Sequence, residues 1–196
     1  MPNDLSALIS TRICHDLINP LGAISNGMEL LSAIGGQSGP EIDLVSESAE
    51  RATAKLNFFR IAFGNAENQS AIKGGALQSI IHQMFAVGRF KVVWPESIDS
   101  IPRGDGKLLL LLLLAAESSA PLGGQCTVMT QGRFELSLSG PRITPNAIEW
   151  DMATGKTTTE VTASTVHFAA IEDTLRTLQK KLMWSQSSDT LDLKVI

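Results

Sequence analysis

The chain is poor in cysteine, in long apolar runs and in clustered charge. Only Cys14 and Cys126 occur, with no C-x-x-C spacing. That excludes a disulfide framework or a cysteine zinc site and fits a reducing compartment. The longest apolar run, Leu108 to Ala116, falls far short of the ~20 residues that cross a bilayer, so it is expected to be a buried core helix. Met1-Pro2-Asn3-Asp4 has neither a basic n-region nor an apolar h-region, so no signal peptide is expected. These features point to a cytoplasmic protein without membrane association. The net charge of -4, the pI near 5.4 and the lack of any like-charge block argue against nucleic acid as a partner. The sequon Asn68-Gln69-Ser70 carries no meaning without secretion. What is present is globular in composition: 196 residues, 43% apolar and 18% charged, enough for one large or two small domains.

Residues 4 to 33 read as one long helix that Asn3 or Asp4 can cap. Ala7, Ser10, Cys14, Leu17, Leu21, Ile24, Met28 and Leu31 alternate at spacings of three and four, a heptad seam. Gly35, Gly36 and Gly39 form a loop, and Pro40 suits entry to a second helix. Over residues 41 to 64 a second seam follows through Val45, Ala49, Ala52, Leu56, Phe59 and Phe63, with Gly64 and Asn65 as stops. Two such helices make an antiparallel hairpin. Alone it leaves large apolar side chains wet, at about 1.5–3 kcal/mol each. A homodimer pairing two hairpins into a four-helix bundle covers both seams.

Asn65 to Gly75 is polar and is the expected boundary between a hairpin domain, residues 1–66, and a second domain, residues 74–196. In the second, 76–87, 107–118 and 163–182 read as helices. Residues 90–94, 125–130, 133–139 and 191–196 read as strands, the middle two forming a hairpin around Gln131-Gly132. The fold class is α+β, a sheet with helices on one face.

A helix turns ~100° per residue, which places His15 roughly 150° from the centre of the first seam. Arg12, Asn19, Gly22 and Asn26 fall on the same outer side, and Asp16 lies between that side and the seam. A histidine there is reachable by another molecule. Neutral imidazole is a good nucleophile near pH 7. A neighbouring carboxylate that accepts one ring N–H fixes the tautomer and frees the other nitrogen, and Asp16 is placed for this. Arg12, one turn earlier, can balance phosphoryl charge, and Asn19, one turn later, can hydrogen-bond the group. Pro20 lacks an N–H, so the Asp16 carbonyl loses its helical partner, at an interior cost of ~3 kcal/mol and with an expected kink. Gly22 and Gly27 cost the helix ~1 kcal/mol each relative to Ala but permit close approach. The plainer alternative is an exposed polar histidine on a bundle helix.

Cys14-His15-Asp16-Leu17-Ile18-Asn19-Pro20-Leu21 resembles the H-box of sensor histidine kinases: His, acidic residue, Leu, variable, Thr or Asn, Pro, Leu. The wider stretch from Arg12 through Gly22-Ala23-Ile24 to Asn26-Gly27-Met28-Glu29-Leu30-Leu31 is similar to the ChpT-type histidine phosphotransferases of alphaproteobacteria. The resemblance implies a dimerisation hairpin followed by a degenerate Bergerat, histidine-kinase-type ATPase-like sandwich. It implies a phosphoryl group passed from a receiver aspartate to His15 and on to a second receiver. A hybrid histidine kinase and response-regulator receiver domains are then partners. Arg12, Gly22 and Asn26 form part of the docking face, and His15, Asp16 and Asn19 are the transfer residues. No cofactor of its own is expected; Mg²⁺ belongs to the receiver.

Against the kinase pattern, the segment Leu108 to Ala116 with Glu117-Ser118-Ser119 contains no asparagine. Ser139-Gly140-Pro141-Arg142 stands where an Asp-x-Gly-x-Gly motif is required. Gly155-Lys156-Thr157 lacks the upstream glycine and strand of a P-loop and reads as a loop. Ile18 stands where kinases often carry Arg. His82 and His167 lie in expected helices without partner motifs and read as structural or surface residues. Three functions follow in order: a histidine phosphotransferase without autokinase activity, a pseudokinase module that binds receivers without accepting phosphate, and a divergent histidine kinase. Micromolar to millimolar nucleotide binding distinguishes the last; receiver binding without labelling distinguishes the second.

Overall fold

The computed structural model describes residues 5–34, 40–64, 71–95, 97–130 and 134–196. Two helices lead, α1 (Leu5–Ile34) and α2 (Pro40–Ala62). There follow β1 (Ala71–Lys73), α3 (Gly74–Met84), β2 (Phe90–Val93), β3 (Ser100–Pro102), α4 (Arg103–Ser118), β4 (Gly124–Met129) and β5 (Phe134–Ser139). The chain ends with α5 (Ala147–Ala153), α6 (Val166–Leu178), β6 (Leu182–Gln186) and β7 (Thr190–Val195). The expected order holds, a helical hairpin followed by an α/β sandwich. The caps expected at Asn3 or Asp4, the glycine loop at 35–39, the stop at Asn65, most of the boundary segment and the Gln131-Gly132 turn lie outside the described residues.

In the hairpin, the α1 seam divides between two surfaces. Leu17, Ile24 and Leu31 are half-buried, whereas Cys14, Leu21 and Met28 are exposed. Ile18 joins this uncovered edge at 65% exposure and Leu21 stands at 56%. The α2 seam splits along its length. Leu56 is exposed, but Phe59 is buried with Phe58 in the core of the sandwich. Phe58 meets Phe85 edge-on at 5.7 Å between ring centroids, an arrangement aromatic quadrupoles favour. The lower end of α2 thus belongs to the same core as the second half of the chain.

The sheet runs β2-β4-β5-β7-β6, with β2 parallel to β4 and the other neighbours antiparallel. Strand alternation sends Cys126, Val128, Leu136, Leu138, Leu191, Leu193 and Val195 inward. A small β1-β3 pair flanks the start of α4. Helix α4 is buried through Leu108 to Ala116, as a helix apolar on every side must be. It begins at Arg103, four residues before the sequence pattern starts. Gly104 hides that first turn: a Cβ there would lie 2.5 Å from Leu178 Cδ2, so the glycine allows α6 to close on α4.

The expected helix over 163–182 is corrected to 166–178. Gln179 adopts the left-handed conformation, φ 55°, and closes the helix. Lys181 and Ile196 then exchange backbone hydrogen bonds of 2.7 and 2.9 Å, and β6 pairs antiparallel with β7. Strands β1, β3 and β6 and helix α5 were not expected from the sequence; all are seven residues or shorter.

Candidate functional site

The site begins with a local consequence of Pro20. Within α1 it leaves the Asp16 carbonyl without its usual donor. The ammonium of Lys55, on α2, donates to that oxygen at 3.1 Å. The carboxylate of the same residue is held on both oxygens. Arg12 Nε donates to Asp16 Oδ2 at 2.8 Å, and His15 Nδ1 lies 3.3 Å from Asp16 Oδ1. The Asp16 side chain is 17% exposed and that of His15 is 77% exposed. The imidazole therefore stands in solvent on a braced support.

Asn19, Gly22 and Asn26 are exposed. A Cβ at Gly22 would meet no atom within 4 Å, so the surface is open there. Arg12 differs from the other residues of that stripe. Its side chain is 25% exposed and turned toward the second half of the chain, where Nη1 donates to the Ser164 carbonyl at 3.2 Å. The sequence placed these residues on one side of α1. The structure keeps His15, Asn19, Gly22 and Asn26 on open surface and draws Arg12 inward.

Behind the braced histidine lie residues of α4 and α6 that the sequence did not connect with it. Burial pushes the Glu117 carboxyl above its ordinary range, and the positive charges of Arg12 and Lys55 oppose that rise. His167 is buried, its ring 4.4 Å from that of Phe168, and its Nε2 has no hydrogen-bond partner among the described residues. Burial, reinforced by Arg12, lowers its imidazole to about 3. His167 is thus structural; His82 is a surface residue. Lys55 carried one indirect signal in the sequence: an orphaned carbonyl at Asp16 demands a donor, but periodicity does not say which side chain arrives.

A cavity of about 240 Å³ opens beside the site, lined by Asn19, Pro20 and Ala23 of α1 and Ser48, Arg51 and Lys55 of α2. Among the described residues, no cluster of His, Cys, Asp and Glu could hold a metal ion, and no helix is long and apolar enough to cross a membrane. At the end of α4 and the loop after β5, protein side chains fill the interior. Trp150 is wholly buried and donates Nε1–H to Ser119 Oγ at 3.1 Å, while Thr144 N–H donates to the Ser119 carbonyl at 2.9 Å. Trp150 packs on Phe168 and Trp184 at 5.4 and 6.1 Å. Lys156 sits in the turn after α5 and pairs with Asp151 at 3.5 Å.

The chemistry open to this arrangement is nucleophilic. With the proton on Nδ1 and accepted by Asp16, the Nε2 lone pair faces solvent, and positive charge developing on the ring meets the carboxylate.

The family model described as the histidine phosphotransferase C-terminal domain matches residues 74–190. The protein phosphotransferase ChpT of Brucella abortus (strain 2308) is 37% identical over 154 residues, 74% of this chain and 73% of that protein. A solved structure described as a bacterial phosphotransferase superposes with a TM-score of 0.82 at 28% identity, covering 100% of this chain and 97% of that one. The histidine kinase domain of the Erythrobacter litoralis EL346 blue-light activated histidine kinase gives a TM-score of 0.42 at 15% identity, over 94% of each chain. The chain belongs to the histidine phosphotransferase family, in its ChpT type, and its function lies in two-component phosphorelay signalling.

Proposed function

We propose that this protein accepts a phosphoryl group from a receiver-domain aspartate onto His15 and passes it to an aspartate of a response-regulator receiver, with no ATP-dependent autokinase activity. The observation that carries this reading is the exposed His15 imidazole with Nδ1 against an Asp16 carboxylate that is itself held by Arg12.

In the first half-reaction, His15 Nε2 attacks the phosphorus of the receiver's acyl phosphate. The P–N bond forms, the P–O bond to the aspartyl carbonyl breaks, and the aspartate leaves as carboxylate. The phosphorylated ring keeps its Nδ1 proton and carries positive charge, which Asp16 stabilises. The second half-reaction reverses these roles with another aspartate as nucleophile. Transfer of this kind passes through a loose transition state, so the protein contributes positioning and electrostatics. Asn19 hydrogen-bonds the phosphoryl oxygens. Gly22 and Asn26 receive the receiver, with Arg12 at the margin. Mg²⁺ is brought by the receiver, and the chain uses no cofactor of its own.

The donor is a hybrid histidine kinase's receiver, and the setting is cytoplasmic. Residues 1–66 act as the dimerisation and transfer hairpin, and residues 74–196 as a former kinase-type domain. The uncovered edge at Cys14, Ile18, Leu21 and Met28 supports a homodimer built on the hairpin. Trp150 and its bond to Ser119 support the loss of nucleotide binding, since indole occupies the interior at the end of α4. The test is labelling of His15→Ala by a phosphorylated receiver. The reading expects no label on a chain that keeps its circular dichroism and oligomeric state; persistent label places the phosphate elsewhere.

A further inference from the structure

Among the described residues the Lys55 ammonium makes no salt bridge, although its charge acts on the buried Glu117 carboxyl; its hydrogen bond reaches across the hairpin to a main-chain oxygen on the other helix, at 3.1 Å. That oxygen belongs to Asp16, the residue whose side chain braces His15. It is also the oxygen left without its helical donor by Pro20. A half-buried carbonyl lacking a donor takes another conformation or admits water. Either response turns the peptide at Asp16, and Cα and carboxylate turn with it.

We propose that Lys55 is a positioning residue for phosphoryl transfer: its bond to the Asp16 carbonyl replaces the one Pro20 removes, and so fixes the carboxylate that orients His15. The inference rests on the relay function proposed above. It gives the proline a role. A backbone bond within α1 holds Asp16 from one helix only. A lysine bond from α2 makes the orientation of Asp16 depend on the α1–α2 pairing. Lys55 also lines the adjoining cavity together with Pro20 and with Asn19, the residue placed to hydrogen-bond the phosphoryl group.

The test uses the full chain with a phosphorylated receiver as donor, read as a single-turnover transfer rate and, separately, as receiver affinity. Lys55→Met should slow transfer at least about tenfold, within the ~100-fold that a 1 Å misplacement can cost, and leave affinity within about twofold. Lys55→Arg, which keeps a donor, should recover most of the rate. The decisive variant is Pro20→Ala, which returns an N–H to the Asp16 carbonyl. In that background Lys55→Met should have little further effect, because the lysine bond is no longer needed. An equal penalty in both backgrounds overturns the proposal, as does a Lys55→Met defect confined to affinity or a rate unchanged from the parent chain. Circular dichroism on each variant separates misfolding from misplacement, and a misfolded Lys55→Met leaves the comparison of Lys55→Arg with the Pro20→Ala pair as the judge. If the parent chain itself never accepts label, the relay reading fails rather than this one.

Discussion

Asp16→Asn is the most informative substitution at the site. The carboxylate accepts on both oxygens, from Arg12 Nε at 2.8 Å and from the His15 Nδ1 side at 3.3 Å. An amide has one acceptor oxygen, so one of these contacts is lost. Arg12 is fixed by its second bond to the Ser164 carbonyl and competes well for the remaining oxygen. The amide NH₂ then faces His15 Nδ1 and favours the tautomer with its proton on Nε2, the atom that must attack. Hydrogen bonds to charged groups contribute about 1.5–3 kcal/mol. Losing that from the transition state slows transfer about 10- to 150-fold. Stability changes less, by no more than about 1 kcal/mol, because Arg12 keeps the amide oxygen and the Ser164 carbonyl as acceptors. For a chain of this size that moves Tm by no more than about 2–4 °C. Rapid-quench transfer from a labelled receiver gives the rate, and titration of the unphosphorylated receiver gives affinity. A rate within threefold of the parent chain, or a loss of affinity that accounts for the whole defect, refutes the orienting role.

Gly22→Leu adds a side chain where no atom lies within 4 Å, so stability should change by no more than about 1 kcal/mol while receiver Kd rises at least about tenfold; isothermal titration showing unchanged affinity removes Gly22 from the docking face. Ile18→Asp with Leu21→Asp places two charges on the uncovered edge of α1 and should give monomers by sedimentation, with circular dichroism retained; a persistent dimer puts the interface elsewhere. His167 sets an acid-sensitivity. Its folded imidazole lies at about 3 against ~6.5 when unfolded, so between these values the unfolded chain binds one more proton. Its contribution is full above ~6.5 and falls by about 1.4 kcal/mol per pH unit on acidification below that. Urea titrations between pH 7 and 5 should show that slope in the parent chain and lose it in His167→Gln; equal slopes contradict the burial of a neutral ring.

The long elements were legible in the sequence because each repeats its signal over several turns. The α1 and α2 seams and the leucine run of α4 survive one or two misleading residues. The missed strands β1, β3 and β6 are three to five residues long and offer too few alternations to outweigh their neighbours. The amphipathic pattern of α6 ran on into Leu182 because nothing local distinguishes Gln179 from a helical glutamine; only the pairing of β6 with β7 stops it. The candidate site divides in the same way. Placing His15, Asp16, Asn19, Gly22 and Asn26 needs only the helical angle, and the structure puts them where that angle says. The inward turn of Arg12 and the arrival of Lys55, Glu117 and His167 are set by contacts between segments tens to more than a hundred residues apart, which no periodicity encodes. The heptad seam also blurred two surfaces into one: its Leu17, Ile24 and Leu31 edge is half-buried, and its Cys14, Leu21 and Met28 edge is exposed.

In the proposed relay, His15 receives phosphate from a receiver and not from ATP. The most direct test is labelling of the purified chain in two parallel reactions, one with labelled ATP and Mg²⁺ alone, the other with ATP, Mg²⁺ and a hybrid kinase carrying its own receiver. Label is expected only in the second reaction, and is lost on His15→Ala. Label acquired from ATP alone would overturn this reading and show that the second half of the chain admits a nucleotide.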